Sequence, residues 1–450
     1  MLKKNEVFEV EIIDNGFKGE GIAKIDGFTV FVPGAIKGEK IKMKIVKVNS
    51  SHAFGIIEEL IEKSPDRVEP DCPTYRRCGG CSLRHMNYDA TIALKEQAVK
   101  STLKKALGRE IELDEIIKMD EPFYYRNKLQ YPVGKKDGKA VLGVYAERTH
   151  EIIETNSCMI QNKLSQEIAN DIVKFANENG IEAYNEENLT GTLRHIVIRC
   201  GKKTKEVMVT LITNREKIEK EKELIDFLTS KYKEIKTIVK NINSKNTNVI
   251  LGEHEEVLFG DGYIYDYIKD CKFKISSKSF YQVNPVQTEK LYQKAVDYAA
   301  LSGEETIFDL YCGIGTIGIF ASKNVKKIIG IETIKEAIDD AKLNAEINNI
   351  ENAEFFVGDV EKVLPELLEK RKVSADVIFV DPPRKGCDDI AIETILKIEP
   401  KKIVYVSCNP ATLGRDLKKL EEKYNIEKIS ICDMFPYTSH CESIAVLKMR

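Results

Sequence analysis

Hydrophobic positions keep three different rhythms along this chain. Between Val7 and Leu60 they alternate, through Phe8, Val10 and Ile12 and again through Ile41, Met43 and Ile45, as half-buried strands require. The alternation slips phase at Val46 and resumes at Val48, which predicts a bulge. Turn signals at Asn15-Gly16, Asp26-Gly27, Pro33-Gly34 and Lys37-Gly38 separate the runs. Strands this short and this closely spaced predict a small OB-like β-barrel over residues 1–62.

Ser64-Pro65-Asp66 reads as a linker, and beyond it the rhythm is mixed. Ile92, Val99, Leu103, Ala106 and Leu107 have helical spacing and predict an amphipathic helix over Tyr88 to Leu107. Strands are expected at Leu129 to Val133, Val141 to Tyr145, Leu193 to Arg199 and Glu206 to Ile212, with helices near Lys163 to Glu178 and Lys217 to Lys231. The span 67–270 is therefore expected to be a central α+β domain.

The third rhythm begins at Thr306. Short apolar runs at Thr306 to Leu310, Lys327 to Ile331, Glu354 to Val357, Val377 to Val380 and Ile403 to Val406 are separated by stretches long enough for helices. That alternation predicts a parallel doubly wound α/β sheet, and the domain is placed at 271–450. The last two runs, Lys428 to Met434 and Ser443 to Lys448, leave no room for a crossover helix and must pair antiparallel. An antiparallel final strand departs from the ordinary dinucleotide fold and favours methyl transfer.

Composition narrows the partners. The 450 residues carry 72 acidic and 69 basic side chains, a net charge of −3, so a nucleic-acid partner would need local basic patches. Between Lys37 and Lys47 the polar positions are mostly Lys, either a basic wall or an ordinary solvated face. Tyr124, Arg126, Lys128, Arg194 and Arg199 are candidates for stacking bases and holding phosphates, or else structural pairs. No apolar run approaches a membrane span, and eleven cysteines without a signal peptide point to a reducing cytosol.

Three of those cysteines lie within ten residues, Cys72, Cys78 and Cys81, with Gly79-Gly80 allowing the backbone to wrap tightly. One C-x2-C pair plus an outlier fits a four-cysteine iron–sulfur cluster better than zinc, whose sites usually show two separated pairs. Cys158, in a polar turn-like context, is the expected fourth ligand, with Cys200 as its competitor.

Chemistry-bearing residues close the strands of the last domain. The glycine loop of Asp309 to Gly318 follows the first strand, and Glu332 ends the second, placed to accept ribose hydroxyls. NAD and S-adenosylmethionine share that grammar. Asp359 is placed to reach an adenine edge, and Asp381-Pro382-Pro383 fixes a rigid edge for a planar base. Cys408 ends a buried strand where open α/β sheets hold ligands, although a lone cysteine there is ordinarily structural.

Phe280-Tyr281-Gln282-Val283-Asn284-Pro285, the Asp309 loop, Asp381-Pro382-Pro383-Arg384, Ser407-Cys408-Asn409-Pro410 and His440-Cys441-Glu442-Ser443 together resemble the RNA (uracil-5-)-methyltransferase family. The N-terminal barrel is similar to a TRAM domain, and barrel plus cysteines resemble the 23S rRNA branch. The resemblance implies S-adenosylmethionine and a 4Fe-4S cluster as cofactors, and large-subunit rRNA, or the T-loop uridine of tRNA, as substrate. It implies Cys408 as nucleophile on uracil C6 and Glu442 as general base. Gln282, Tyr311, Gly313, Glu332 and Asp381 would line the cofactor or base pocket, with Asp359 on the adenine. Asp381 as a turn cap and Gln282 as a helix-start bond are the plain alternatives, and Arg384 is open between steadying O4 charge and a phosphate. Cys271, Cys312, Cys387, Cys432 and Cys441 read as bystanders, and a monomer is expected. A non-catalytic RNA-binding protein would lack Cys408 or Glu442, and an amino-group methyltransferase would need no thiol.

Overall fold

The computed structural model describes residues 2–146, 149–371 and 374–450. Six strands come first: β1 (Val7–Glu11), β2 (Asp14–Asn15), β3 (Gly21–Ile25), β4 (Phe28–Val32), β5 (Lys40–Val48) and β6 (His52–Glu62). They form one sheet in the order β1-β5-β6-β4-β3-β2. Its two edges, β1 and β2, are separated in the chain by Ile12 and Ile13 alone, so the sheet curls round into a barrel about Ile12, Ala23, Val30, Ile41, Met43 and Ile45. The ladder between β5 and β6 shifts register between Ile45 and Lys47, where the phase slip predicted a bulge. The lysine wall is largely neutralised: Lys40 pairs with Glu62 at 2.5 Å, and Lys42 lies between Glu9 and Glu59 on the neighbouring strands.

The middle of the chain supplies α1 (Tyr88–Leu107), β7 (Glu115–Ile117), β8 (Lys128–Lys136), β9 (Lys139–Tyr145), β10 (Ile152–Glu154), α2 (Lys163–Asn179), β11 (Leu193–Cys200), β12 (Val207–Thr213), α3 (Glu221–Lys231), β13 (Ile235–Ile242) and β14 (His254–Phe259). A mixed sheet runs β10-β9-β8-β11-β12-β13-β14, with β12 and β13 parallel. Its core gathers Leu129, Tyr131, Ile168, Ile172, Ile196 and Leu211 between sheet and helices.

Two elements inside the span expected as the central domain serve the last domain instead. The strand β7 runs parallel to the last domain's edge strand, and α1 packs there through Leu103 and Leu107. The hairpin β15 (Tyr263–Ile268) and β16 (Cys271–Ser276) follows, so residues 270 and 271 fall at its turn.

The last domain continues with α4 (Pro285–Ala299), β17 (Thr306–Leu310), α5 (Thr316–Ala321), β18 (Lys327–Glu332), α6 (Lys335–Ile347), β19 (Ala353–Val357), α7 (Val360–Arg371), β20 (Val377–Val380), α8 (Asp389–Ile398), β21 (Lys402–Ser407), α9 (Pro410–Leu420), β22 (Tyr424–Cys432) and β23 (Glu442–Met449). The sheet order is β19-β18-β17-β20-β21-β23-β22-β7, with β23 antiparallel to both of its neighbours. Strands β17, β20 and β21 are buried on both faces, and this is why they read as continuous apolar runs. One hydrophobic layer, with Ile307, Val404 and Leu291, covers one face, and a second, with Phe308, Tyr405 and Leu417, covers the other. Helices α1 and α9 approach so closely that a Cβ on Gly414 would meet the Cβ of Ala106 at 2.6 Å. Among the described residues no helix is long and apolar enough to cross a membrane.

Candidate active site

The parallel strands β17, β18, β20 and β21 end along one edge of the sheet, and β23, running the other way, begins there. Ser407 is opposite Ser443 in the β21–β23 ladder. The next position outward on each strand is therefore Cys408 on one and Glu442 on the other. Asp381 follows immediately on β20. Sequence-distant residues thus meet because one strand is inserted antiparallel.

Electrostatics confirm that proximity. Burial pushes the Glu442 carboxyl up to about 8, the Asp381 charge adds to this, and Arg384 opposes it. The half-buried Cys408 thiol is raised by burial first and then by Glu442, while Arg384 favours its thiolate. Burial alone lifts Asp381 to about 7. Beneath Cys408 the turn is firmly tied. Asn409 caps α9 by accepting the Ala411 N–H at 3.1 Å, and its Nδ2 donates to the Arg384 carbonyl at 3.1 Å. Ser407 Oγ accepts the Asn409 N–H at 3.1 Å, and Pro410 opens the helix.

Beside this pair lies a glycine-rich cradle. Tyr311, Gly313 and Gly315 have φ of 63°, 55° and 79°, so the chain reverses within five residues, at some strain for Tyr311. Glu332 accepts the Gly313 N–H at 3.1 Å and the Ile334 N–H at 3.0 Å, which fixes its carboxylate at the loop with lone pairs to spare. Asp309 accepts the Gly318 N–H at 2.8 Å through one oxygen, while the other is buried without a hydrogen-bond partner. Its carboxyl is pushed up to about 7 by burial, with Asp381 and Glu332 adding to the shift. A buried acceptor left open among three carboxylates suits a cationic ligand group. Asp359 lies at the exposed rim, taking the Thr333 hydroxyl at 3.1 Å and the Lys362 ammonium at 2.5 Å. Gln282 has its carbonyl bound by Asn127 Nδ2 at 3.0 Å, and its side chain lies by the Tyr292 hydroxyl. The Tyr311 ring packs on the second hydrophobic layer with its hydroxyl beside Cys387.

The N-terminal cysteines gather at a separate place. Cys78 is raised by burial and by the neighbouring sulfurs of Cys158 and Cys72, and Cys81 is pushed up to about 12 by burial with Cys158 next in strength. Cys81 and Cys158 pack together against Met119, Tyr125 and Ile160. Cys200 is elsewhere: it is buried in the middle core and bonded to Ser165 Oγ at 3.1 Å. Among the described residues no group of three or more His, Cys, Asp or Glu is close enough to chelate a single metal ion.

The sequence pattern of the family described as tRNA (Uracil-5-)-methyltransferase matches residues 87–450, and that of the TRAM domain matches residues 2–57. The chain belongs to the uracil-5 RNA methyltransferase family. An uncharacterized RNA methyltransferase of Clostridium acetobutylicum is 50% identical over 99% of this chain and 98% of its own. One from Halalkalibacterium halodurans is 48% identical over 100% and 98%. The crystal structure of Pyrococcus abyssi tRNA (uracil-54, C5)-methyltransferase in complex with S-adenosyl-L-homocysteine aligns at 30% identity, covering 98% of this chain and 99% of that one, with a TM-score of 0.78. The protein is accordingly an S-adenosylmethionine-dependent methyltransferase acting on RNA, with an N-terminal TRAM domain.

Several residues that hold this methyltransferase site together escape a reading of the sequence. Tyr292 is fully buried with its hydroxyl 3.1 Å from Thr316 Oγ1, amid Asp381, Asp309 and Gln282. Lys95 of α1 forms a buried ion pair with Asp433 and donates to the Phe435 carbonyl at 3.0 Å, while Tyr88 donates to Asp433 at 2.7 Å. These bonds anchor the loop that leads to Glu442. The available signal was a lysine on the apolar face of α1, between Ile92 and Val99. Of the proposed RNA-contacting residues, Arg194 binds the carbonyls of Asn243 and Lys245 through one nitrogen, while its Nε is buried without a hydrogen-bond partner.

Proposed function

We propose that this enzyme methylates C5 of a specific uridine through a covalent bond between Cys408 and C6 of the base. The observation that carries this reading is the side-by-side placement of Cys408 and Glu442 at the ends of β21 and β23. Uracil C5 is too weak a nucleophile to take a methyl group unaided. Addition of the Cys408 thiolate to C6 opens the C5=C6 bond and makes C5 enolate-like. S-adenosylmethionine, when bound, supplies the methyl group on a sulfonium. With C5 methylated, Glu442 takes the C5 proton, the electron pair re-forms the double bond, and the thiolate leaves. Asp381, Gln282 and Tyr311 line the pocket, Gly313 and Glu332 hold the ribose side of the cofactor, and Asp359 reaches the adenine. A rise in rate with pH toward about 8 follows, because the base must give up its proton.

The target is a uridine of large-subunit rRNA, a reading supported by the likeness of the barrel and cysteines to the 23S rRNA branch. The T-loop uridine of tRNA is the second reading, favoured by the tRNA enzyme of Pyrococcus abyssi aligning over 98% of this chain. Either base must leave its stack to reach Cys408. Mapping 5-methyluridine in rRNA and tRNA from cells with and without the gene separates them. Loss from rRNA alone supports the first reading, and loss from tRNA alone overturns it while leaving the chemistry intact.

Cys72, Cys78, Cys81 and Cys158 hold a 4Fe-4S cluster. The support is an all-thiol donor set in which the Cys78 and Cys81 thiols feel those of Cys72 and Cys158, with Cys81 and Cys158 in a partly apolar shell. Methyl transfer moves no net electrons, so the cluster's contribution is to brace these segments. Anaerobically purified protein is expected to contain iron and sulfide in equal amounts. Cys158→Ala should lose both and Cys200→Ala should keep them; stoichiometric zinc without sulfide would contradict the assignment.

A further inference from the structure

Lys128 opens β8 and is the direct cross-strand partner of Arg199 on β11. Like charges in that position repel and destabilise a sheet. Arg126, two residues before Lys128, adds a third positive charge. Burial holds the Lys128 amine down to about 8, with Arg199 and then Arg126 contributing, and no carboxylate acts on it. Arg199 is 6% exposed and donates only to the carbonyls of Ser277, at 3.4 Å, and Ser279, at 2.6 Å. The Nε atoms of both arginines are buried without a hydrogen-bond partner. Among the described residues no carboxylate forms an ion pair with any of these three cations, although the ladder holds Lys128 and Arg199 side by side.

Their position gives them a use. Asn127, between Arg126 and Lys128, donates its backbone N–H to the Val283 carbonyl at 2.8 Å and its Nδ2 to the Gln282 carbonyl at 3.0 Å. Arg199 grips the same segment from its start, at Ser277 and Ser279. On the other side, Arg126 donates its N–H to the Ile160 carbonyl at 3.0 Å, two residues from Cys158. The cations are thus fixed between the cysteine cluster and the segment that carries Gln282. The intervening Phe280 is 71% exposed.

We propose that Arg126, Lys128 and Arg199 form a clamp for a backbone phosphodiester of the RNA strand, next to the nucleotide whose base enters the Cys408 pocket. The proposal rests on the reading of the site as one that receives a base drawn out of folded RNA. A phosphate fits the vacancy in the local charge balance, and the guanidinium forks suit its oxygens. The cysteine cluster then has a role in RNA binding, by fixing the chain from which Arg126 reaches.

Binding of a fluorescent twelve-nucleotide oligouridylate, measured at several KCl concentrations, tests the clamp. Lys128→Gln is expected to weaken binding several-fold at low salt and to reduce the slope of log affinity against log salt by about 1, as loss of one phosphate contact does. Lys128→Arg should retain the slope. Lys128→Gln should also melt at a higher temperature than wild type, because it relieves the repulsion from Arg199. Unchanged affinity and slope would overturn the proposal, as would loss of S-adenosylhomocysteine binding with RNA binding intact, which would assign the cations to the cofactor's carboxylate. If the methylation chemistry were wrong, 5-fluorouridine RNA would not be trapped, yet the salt slopes would stand.

Discussion

Cys408→Ala is expected to abolish methyl transfer while leaving S-adenosylhomocysteine binding essentially unchanged. The loss should be on the order of 10⁵-fold, the scale on which removal of a covalent nucleophile acts. The reason is electronic: without a bond to C6, C5 has no enolate character with which to attack a sulfonium. The glycine-rich cradle proposed for the cofactor should survive because its fixed points are elsewhere, at Gly313, Glu332, Asp309 and Gly318. The fold should survive too, since the turn around Cys408 is held by Ser407, Asn409 and Arg384 through bonds that do not involve the thiol. Full turnover by Cys408→Ala would end the covalent mechanism.

Glu442→Gln is expected to stall the reaction later. Addition to C6 and methylation of C5 need no base at Glu442, but removal of the C5 proton does. A protein–RNA adduct that resists denaturation should therefore accumulate with this variant, and its absence alongside normal turnover would point to another base. The same substitution should act on stability with a definite pH dependence. The folded Glu442 titrates near 8 against about 4.5 in an unfolded chain. Stability from its comfortably protonated form is present below about 4.5 and is lost as pH rises through about 8. Glutamine has no charge to desolvate. At pH 9 the variant should be more stable than wild type by on the order of a few kcal/mol, and at pH 4 the difference should vanish. A Tm difference independent of pH would contradict the burial cost assigned to this carboxyl.

Much of this site was legible because its parts are local. The run from Ile403 to Val406 announced a strand with Cys408 at its end, and the short spacing before Ser443 announced that the last two strands pair antiparallel. That the final strand is inserted beside the Cys408 strand, and so brings Glu442 next to Cys408, is set by the sheet order and was not readable from the spacing. The bulge near Val46 was equally readable, because a phase slip in alternation is itself the signal. What escaped depends on register and on pairing between distant segments. That β7 and α1 belong to the last domain follows only from pairing across more than 300 residues of chain, Ser430 with Glu115 for example. Lys42 looks basic along its own strand and is balanced by Glu9 and Glu59 on its neighbours. Conversely, Lys128 and Arg199 were candidates for holding phosphate from the sequence alone, but that they stand directly opposite one another is set by the ladder. Sequence periodicity tells which face a side chain takes, but not what stands across from it.

The central claim is a bond between Cys408 and C6 of a uridine, and 5-fluorouridine RNA tests it most directly. Fluorine at C5 cannot be removed as a proton is, so the methylated adduct has no route to release. Incubated with the enzyme and S-adenosylmethionine, such RNA should yield a slow-migrating complex on a denaturing gel. Digestion and mass spectrometry should place the nucleotide on the peptide containing Cys408. A methylated RNA product with no complex, or attachment at any other cysteine, would contradict the account.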